Sequence, residues 1–233
     1  MKVSVIVPSY NAGPYLKDAL RSIHRQGYPV EIVVVDQDSD DGSTEDLGKG
    51  VRVLRTPKSS PGVARNIGLS AASGDLVAFL DADDLWPAGK LYRQIGCLLE
   101  YELSMVSGHV CYFETASEDG LTPAEGSRTE TVLHVHLGAC VYRREALKTL
   151  GGFDSEFLYA EDVDLLLRLR ESGLPFSILR STELYYRKHP ASLMSQKNPR
   201  KESDFRLAAW KSLQRRRAKK LGPLKPFSEY LCK

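Results

Sequence analysis

No stretch of this 233-residue chain approaches the roughly 18 consecutive apolar residues that a membrane-spanning helix needs, so the protein is expected to be soluble or peripheral. The opening Met1 to Pro8 has a basic residue and an apolar run, but the run is too short for a signal-peptide core and Pro8 stops it; a strand is predicted instead. Cysteine is scarce. Cys97, Cys111, Cys140 and Cys232 lack the close spacing of a zinc site or a redox motif, and reduced thiols in a cytoplasmic protein are expected. There is no Walker-type glycine loop and no dinucleotide fingerprint, so a bound phosphate would need another source of positive charge. Internal repeats and low-complexity segments are absent. The net charge of +2 excludes little, but its distribution is uneven: from Lys197 to Lys225 many lysines and arginines face only Glu202 and Asp204.

What is present is an alternation of apolar periods. Val3 to Val7, Glu31 to Asp36, Val51 to Leu54 and Leu76 to Leu80 read as strands. Pro14 to Gln26 and Pro61 to Ser73 carry apolar residues at helical spacing. The run Ile32 to Val35 is apolar on both faces, as in an interior parallel strand. This predicts an α/β fold with a doubly wound, Rossmann-like sheet flanked by helices. Further on, strands are predicted over Ser104 to Phe113 and Thr131 to Tyr142, a variable loop over Glu114 to Glu130, and a helix over Asp162 to Glu171. One catalytic domain over 1–195 and a basic helical extension over 196–233 are expected.

Ligands of such sheets bind beyond the carboxyl ends of the strands. Those ends are polar here: Pro8-Ser9-Tyr10-Asn11, Asp36-Gln37-Asp38, and Asp81-Ala82-Asp83-Asp84. Taken alone, each of them reads as a turn before it reads as a site. The acidic cluster is harder to assign to a turn, because three crowded carboxylates repel unless something neutralises them. A divalent cation, Mn2+ or Mg2+, does so and bridges carboxylates to phosphates. Asp84 alone is equally well explained as a helix cap. Arg65, on a helix between inward-pointing Val63 and Ile67, is a second candidate for phosphate compensation.

The segments Val5 to Asn11, Val34 to Asp36 with Asp41-Gly42-Ser43, Pro61 to Asn66, Phe79 to Asp84, Gly151 to Asp154 and Glu161-Asp162 together resemble family 2 glycosyltransferases in order and spacing. The resemblance covers roughly Met1 to Ser195. It implies a GT-A fold with a smaller acceptor-side sheet. It also implies an inverting, metal-dependent transfer of sugar from a nucleotide-diphosphate donor, a UDP-sugar by expectation, to a glycan or lipid-linked acceptor in cell-surface polysaccharide or glycolipid synthesis. On this resemblance Pro8, Tyr10, Asn11, Asp36, Asp81 and Asp83 hold the nucleotide, Asp83 and Asp84 the metal, and Asp162 is the base; Gln37 and Arg65 join the nucleotide contacts by their positions. Glu161, His136 and His189 are candidate acceptor or loop contacts. Glu161, Asp162 and Asp164 also fit the acidic first turn of a helix, and His134 and His136 fit structural histidines on one strand face. The chain departs from the family at Gln37, where a second aspartate is usual, and this opens the identity of the base.

Two other functions share these ingredients. A sugar nucleotidyltransferase would put a basic, glycine-rich loop where Pro8 to Asn11 stands, and an inactive binding protein would have no reason to keep Asp81, Asp83, Asp84 and Asp162 together. For the extension, Phe205, Ala209 and Leu213 beside Trp210 leave two readings: peripheral contact with an anionic membrane, or an apolar stripe packed on the domain. Few aromatics interleave with the charge, so no nucleic-acid partner is expected.

Overall fold

The computed structural model describes residues 1–133, 135–195 and 197–232. Its first half alternates β1 (Val3–Ser9), α1 (Tyr15–His24), β2 (Val30–Asp36), β3 (Val51–Arg55), α2 (Pro61–Ala71) and β4 (Leu76–Phe79). Then follow α3 (Lys90–Glu100), β5 (Met105–Phe113), β6 (Thr129–Val132), β7 (Val141–Arg143), α4 (Arg144–Leu150), α5 (Glu161–Ser172), β8 (Phe176–Arg187) and α6 (Arg200–Ala218). The strands order as β3-β2-β1-β4-β7-β5-β6, with β8 on β5. The first four are mutually parallel, as their two-sided apolar runs require.

Alternation along the strands divides the core into two layers. Val3, Val5 and Val7 of β1 pack with Leu16, Leu20 and Ile23 of α1 and Leu91, Ile95 and Leu98 of α3. Ile6 points the other way, into the layer holding Ala64 of α2 and Leu165 and Leu169 of α5. α2 starts where Ser60 accepts a hydrogen bond from the Val63 amide and Pro61 fills the first helical position. It lies so close to the sheet that a Cβ on Gly68 would stand 2.4 Å from Ile6 Cγ2.

The strands of the second half are continuous with the main sheet through β7. β8 runs along the whole of β5, so β6 and β7 must share the other edge. The strand predicted over Thr131 to Tyr142 is therefore broken. The chain takes nine steps from Val132 to Val141 where β5 takes four from Val110 to Val106, and the surplus leaves the sheet with a 3-10 turn at Leu137–Ala139. Trp86 Nε1 donates to the Gly138 carbonyl (2.9 Å) and Gln94 Nε2 to that of Ala139 (2.7 Å), fixing the turn from behind.

Helix α6 docks on α5, but not through its apolar stripe. Its inner face is Asp204, Ala208 and Ser212, with Arg215 bridging Asp164 and Glu171 of α5. Phe205, Trp210 and Leu213 lie outside, 38%, 57% and 37% exposed. This corrects the packed-stripe reading: Leu207 and Ala208 pack with Phe157, Ala160, Val163 and Leu167, the Arg215 ion pairs flank that contact, and the Phe205, Trp210 and Leu213 face is turned to solvent. No described helix is long and apolar enough to cross a membrane. The cysteines are free, with Cys97 and Cys232 sulfurs 4.0 Å apart.

Candidate active site

The strand order reverses at β1, between β2 and β4, and in such sheets the crevice beyond the strand ends at that point receives the ligand. A cavity of about 560 Å3 opens there. The cavity brings together residues from segments far apart in sequence: Pro8 near the end of β1 with Tyr10 and Asn11 after it, Gln37 after β2, Arg65 on α2, Asp81 and Asp83 after β4, and Glu161 and Asp162 on α5. Asp36 and Asp84 do not reach its wall.

At the β1–β2 corner, Tyr10 is 43% exposed and carries Lys58 Nζ 3.7 Å from its ring centroid. Asn11 lines the cavity but commits its side chain to the next loop, donating to Asp40 Oδ1 (2.8 Å) and accepting from the Asp40 amide (3.0 Å). Asp36 is buried behind this corner. Its carboxylate accepts from the Ser39 amide (3.1 Å) and the Thr44 hydroxyl (3.0 Å), which shape the loop. Gln37 faces the cavity, with Oε1 accepting from both the amide and the hydroxyl of Ser59, each at 3.2 Å.

The floor is an ion-pair lattice. Arg65, 5% exposed, reaches Asp81 Oδ1 at 2.6 Å through Nη2 and Glu161 Oε1 through Nη1. Burial would raise the Asp81 carboxyl, but the Arg65 guanidinium beside it holds it below the usual range. Glu161 behaves oppositely: burial outweighs Arg65, Asp162 adds a like charge, and the carboxyl is pushed up to about 7. Gly62 permits this contact between α2 and α5, since a Cβ there would come within 3.2 Å of Glu161 Cβ. Asp162, one residue on, is partly exposed on the cavity wall, with Oδ1 accepting from the Val163 amide (2.7 Å).

The acidic cluster is gripped by the end of β8. The Arg187 amide donates to Asp84 Oδ1 (2.9 Å), Arg187 Nε donates to the Asp83 carbonyl (2.9 Å), and His189 Nε2 stands 2.9 Å from Asp83 Oδ2. Arg187 is clamped between the rings of Tyr15 and Phe113, and His189 lies 5.0 Å from Tyr15. Burial followed by neighbouring carboxylates raises both Asp83 and Asp84, Asp84 strongly. Asp84 Oδ2 is buried without a hydrogen-bond partner. Among the described residues no three His, Cys, Asp or Glu side chains close into a metal cage. Crowded negative charge and an orphaned carboxylate oxygen are nevertheless what a divalent cation satisfies, so the residues fit one, with Asp83 and His189 as the donors open to the cavity.

The opposite wall is the 3-10 turn. His136 caps it, accepting from the Gly138 amide at Nδ1 (3.2 Å), and meets the Tyr186 ring edge-on at 5.3 Å. His136 therefore sits in a loop rather than on a strand face, and His134 lies outside the described residues. Lys58, Ser59, Leu158, Tyr159 and Tyr186 also line the cavity and were not picked out from sequence. Only Lys58 and Ser59 had a signal, standing directly before the Ser60 cap of the helix that starts at Pro61.

A mainly parallel sheet flanked by helices, with this crevice and an acidic cluster after β4, defines the GT-A class of fold. The family described as Glycosyl transferase family 2 matches residues 4–151, and the chain belongs to that family. It is 33% identical over 175 residues, covering 72% of this chain and 69% of the relative, to the Escherichia coli UDP-Glc:alpha-D-GlcNAc-diphosphoundecaprenol beta-1,3-glucosyltransferase WfgD. It is 40% identical over 106 residues, 42% of each chain, to the putative teichuronic acid biosynthesis glycosyltransferase TuaG of Bacillus subtilis. Among solved structures, S. aureus TarS 1–349 in complex with UDP-GlcNAc superposes with a TM-score of 0.70 at 26% identity, covering 90% of this chain and 66% of that one. The chain spans about half the length of the first curated relatives it matches, 42% to 54%.

Proposed function

We propose that the chain is an inverting, metal-dependent glycosyltransferase that moves a sugar from a nucleoside-diphosphate sugar, a UDP-sugar, to a hydroxyl of a glycan or lipid-linked acceptor in cell-surface polysaccharide or glycolipid synthesis. The observation that carries this is one cavity shared by Tyr10 and Gln37 at one corner, Asp81 and Asp83 on its floor and Asp162 on its wall. The relatives' names support the donor and the acceptor class.

In this reading the base and ribose lie against Pro8, Tyr10 and Gln37, and the diphosphate lies over Asp81 and Asp83. Asp83 with His189, and Asp84 behind them, would hold Mn2+ or Mg2+, which when bound stabilises the departing diphosphate. The acceptor hydroxyl loses its proton to the Asp162 carboxylate as its oxygen bonds to the anomeric carbon and the bond from that carbon to the diphosphate oxygen breaks. Arg65 holds Glu161 and so fixes the first turn of α5 that presents Asp162. His136 lies on the acceptor side.

Residues 1–195 form the catalytic unit in this proposal, and α6 is its contact with an anionic membrane at the cytoplasmic face. Phe205, Ala209, Leu213 and Trp210 point to solvent, with Arg217, Lys219 and Lys220 exposed at the helix end. The test is a screen of nucleotide sugars with and without chelator, with product anomers assigned by NMR. Turnover that survives exhaustive chelation would refute the metal, and a retained anomer would refute inversion.

A further inference from the structure

The corner of the cavity formed by Pro8, Tyr10, Lys58 and Ser59 holds one polar group whose direction is fixed by chemistry. Gln37 is 6% exposed, and its main-chain amide donates to the Ser9 carbonyl (2.9 Å), which anchors it to the end of β1. Its Oε1 accepts from the Ser59 amide and the Ser59 hydroxyl, both at 3.2 Å. A main-chain N–H only donates, so the atom facing it must be the oxygen of the side-chain amide, and the usual ambiguity between Oε1 and Nε2 does not arise. Both lone pairs of Oε1 are thereby engaged. The NH2 group is left to face the cavity, and no described residue accepts from it. Beside it lies the exposed Tyr10 ring, a surface on which a planar heterocycle stacks.

Resting on the reading of this cavity as a nucleotide-sugar site, we propose that Gln37, held by Ser59, selects the nucleobase as a hydrogen-bond donor and reads a pyrimidine by an acceptor on its edge. The consequence follows from the bases themselves. Uracil presents keto oxygens on either side of an imide N–H, and cytosine presents an unprotonated ring nitrogen beside its keto oxygen. A donor at position 37 meets an acceptor on either base but opposes the uracil imide proton. Uracil is then held through a keto oxygen, and the group that most sharply separates uracil from cytosine goes unread. A carboxylate at this position would do the reverse, accepting the imide proton of uracil and repelling the acceptors of cytosine.

The experiment is calorimetric titration of UDP, CDP, ADP and GDP into the wild-type protein and Gln37→Glu in the presence of Mn2+, with inorganic pyrophosphate as a base-free control. The same titrations on Ser59→Ala remove the hydroxyl donor to the Gln37 oxygen while keeping the main-chain one. The wild type is expected to bind UDP and CDP within about fivefold of each other. One mismatched hydrogen bond in a buried polar site changes affinity about tenfold or more. Gln37→Glu is therefore expected to weaken CDP more than tenfold, to raise the UDP-over-CDP ratio by the same factor and to leave pyrophosphate unchanged. In Ser59→Ala the residue-59 amide still holds the Gln37 oxygen, so the UDP-to-CDP ratio is expected to stay within about threefold of wild type. A wild type that already prefers UDP more than tenfold, with a ratio untouched by Gln37→Glu, overturns the proposal while leaving the nucleotide site intact. Tighter binding of ADP or GDP than of both pyrimidines overturns it as well. Failure of every nucleoside diphosphate to bind overturns the parent reading and this proposal with it.

Discussion

Gly68 and Gly96 are both interior helical glycines, and replacing each with alanine isolates how closely α2 is pressed on the sheet. Alanine improves intrinsic helix propensity by about 1 kcal/mol at either position. At Gly96, on α3, a Cβ meets nothing within 4 Å, so Gly96→Ala should stabilise by up to about 1 kcal/mol. At Gly68 the new carbon would stand 2.4 Å from Ile6 Cγ2 and 3.2 Å from Val35 Cγ2. Ile6 is fully buried in β1 and stiff at its branched carbon, so it cannot swing aside. Overpacking of this kind costs about 1–3 kcal/mol, and the propensity gain cancels only part of it. The two variants should therefore differ by about 1–3 kcal/mol in denaturant melts, and by several degrees in Tm at roughly 2–4 °C per kcal/mol for a domain of this size. Because α2 carries Arg65, Gly68→Ala should also weaken donor binding where Gly96→Ala does not. Equal stability of the two variants would refute the close approach of α2 to β1.

Two further outcomes are expected. The folded state keeps the Glu161 proton up to about 7, whereas the unfolded chain releases it near 4.5. The contribution of this group is thus fully present below about 4.5 and is lost as pH rises toward 7. Glu161→Gln should flatten that part of the stability profile, and an unchanged slope would remove Glu161 as its cause. On the outer face of α6 each basic residue near an anionic bilayer contributes on the order of 1 kcal/mol. The full chain should sediment with anionic vesicles at low salt, and Trp210→Ala combined with Gln at Arg217, Lys219 and Lys220 should abolish this; no sedimentation of the unaltered chain refutes the membrane contact.

The parallel half of the fold was legible because its determinants are local. Ile32 to Val35 can only be an interior strand, and Ser60-Pro61 marks a helix start wherever it stands. The acidic cluster was legible too, since Asp81, Asp83 and Asp84 follow a strand within four residues. The rest depends on pairings that sequence does not display. The break between β6 and β7 arises because β8 occupies one edge of β5, which forces the surplus chain outward and makes His136 a turn cap. The outward stripe of α6 follows from contacts on α5, among them Asp164 and Glu171, that lie some 40 residues away or more. Asp36, read as a nucleotide contact, lies behind the wall because Thr44 and Ser39 claim its oxygens. The polarity of Gln37 is set by Ser59, 22 residues on.

The central claim is that donor binding and proton removal are separate tasks in one cavity, and Asp162→Asn tests it most directly. The substitution keeps the shape of the side chain, its hydrogen bond from Val163 through Oδ1, and the Arg65 to Glu161 and Asp81 lattice. Measured on one preparation, donor affinity by calorimetry should stay within about threefold of wild type. Transfer to acceptor should fall by about 100-fold or more, the usual scale for losing a general base. Undiminished transfer in Asp162→Asn, or loss of donor binding together with transfer, would contradict the account.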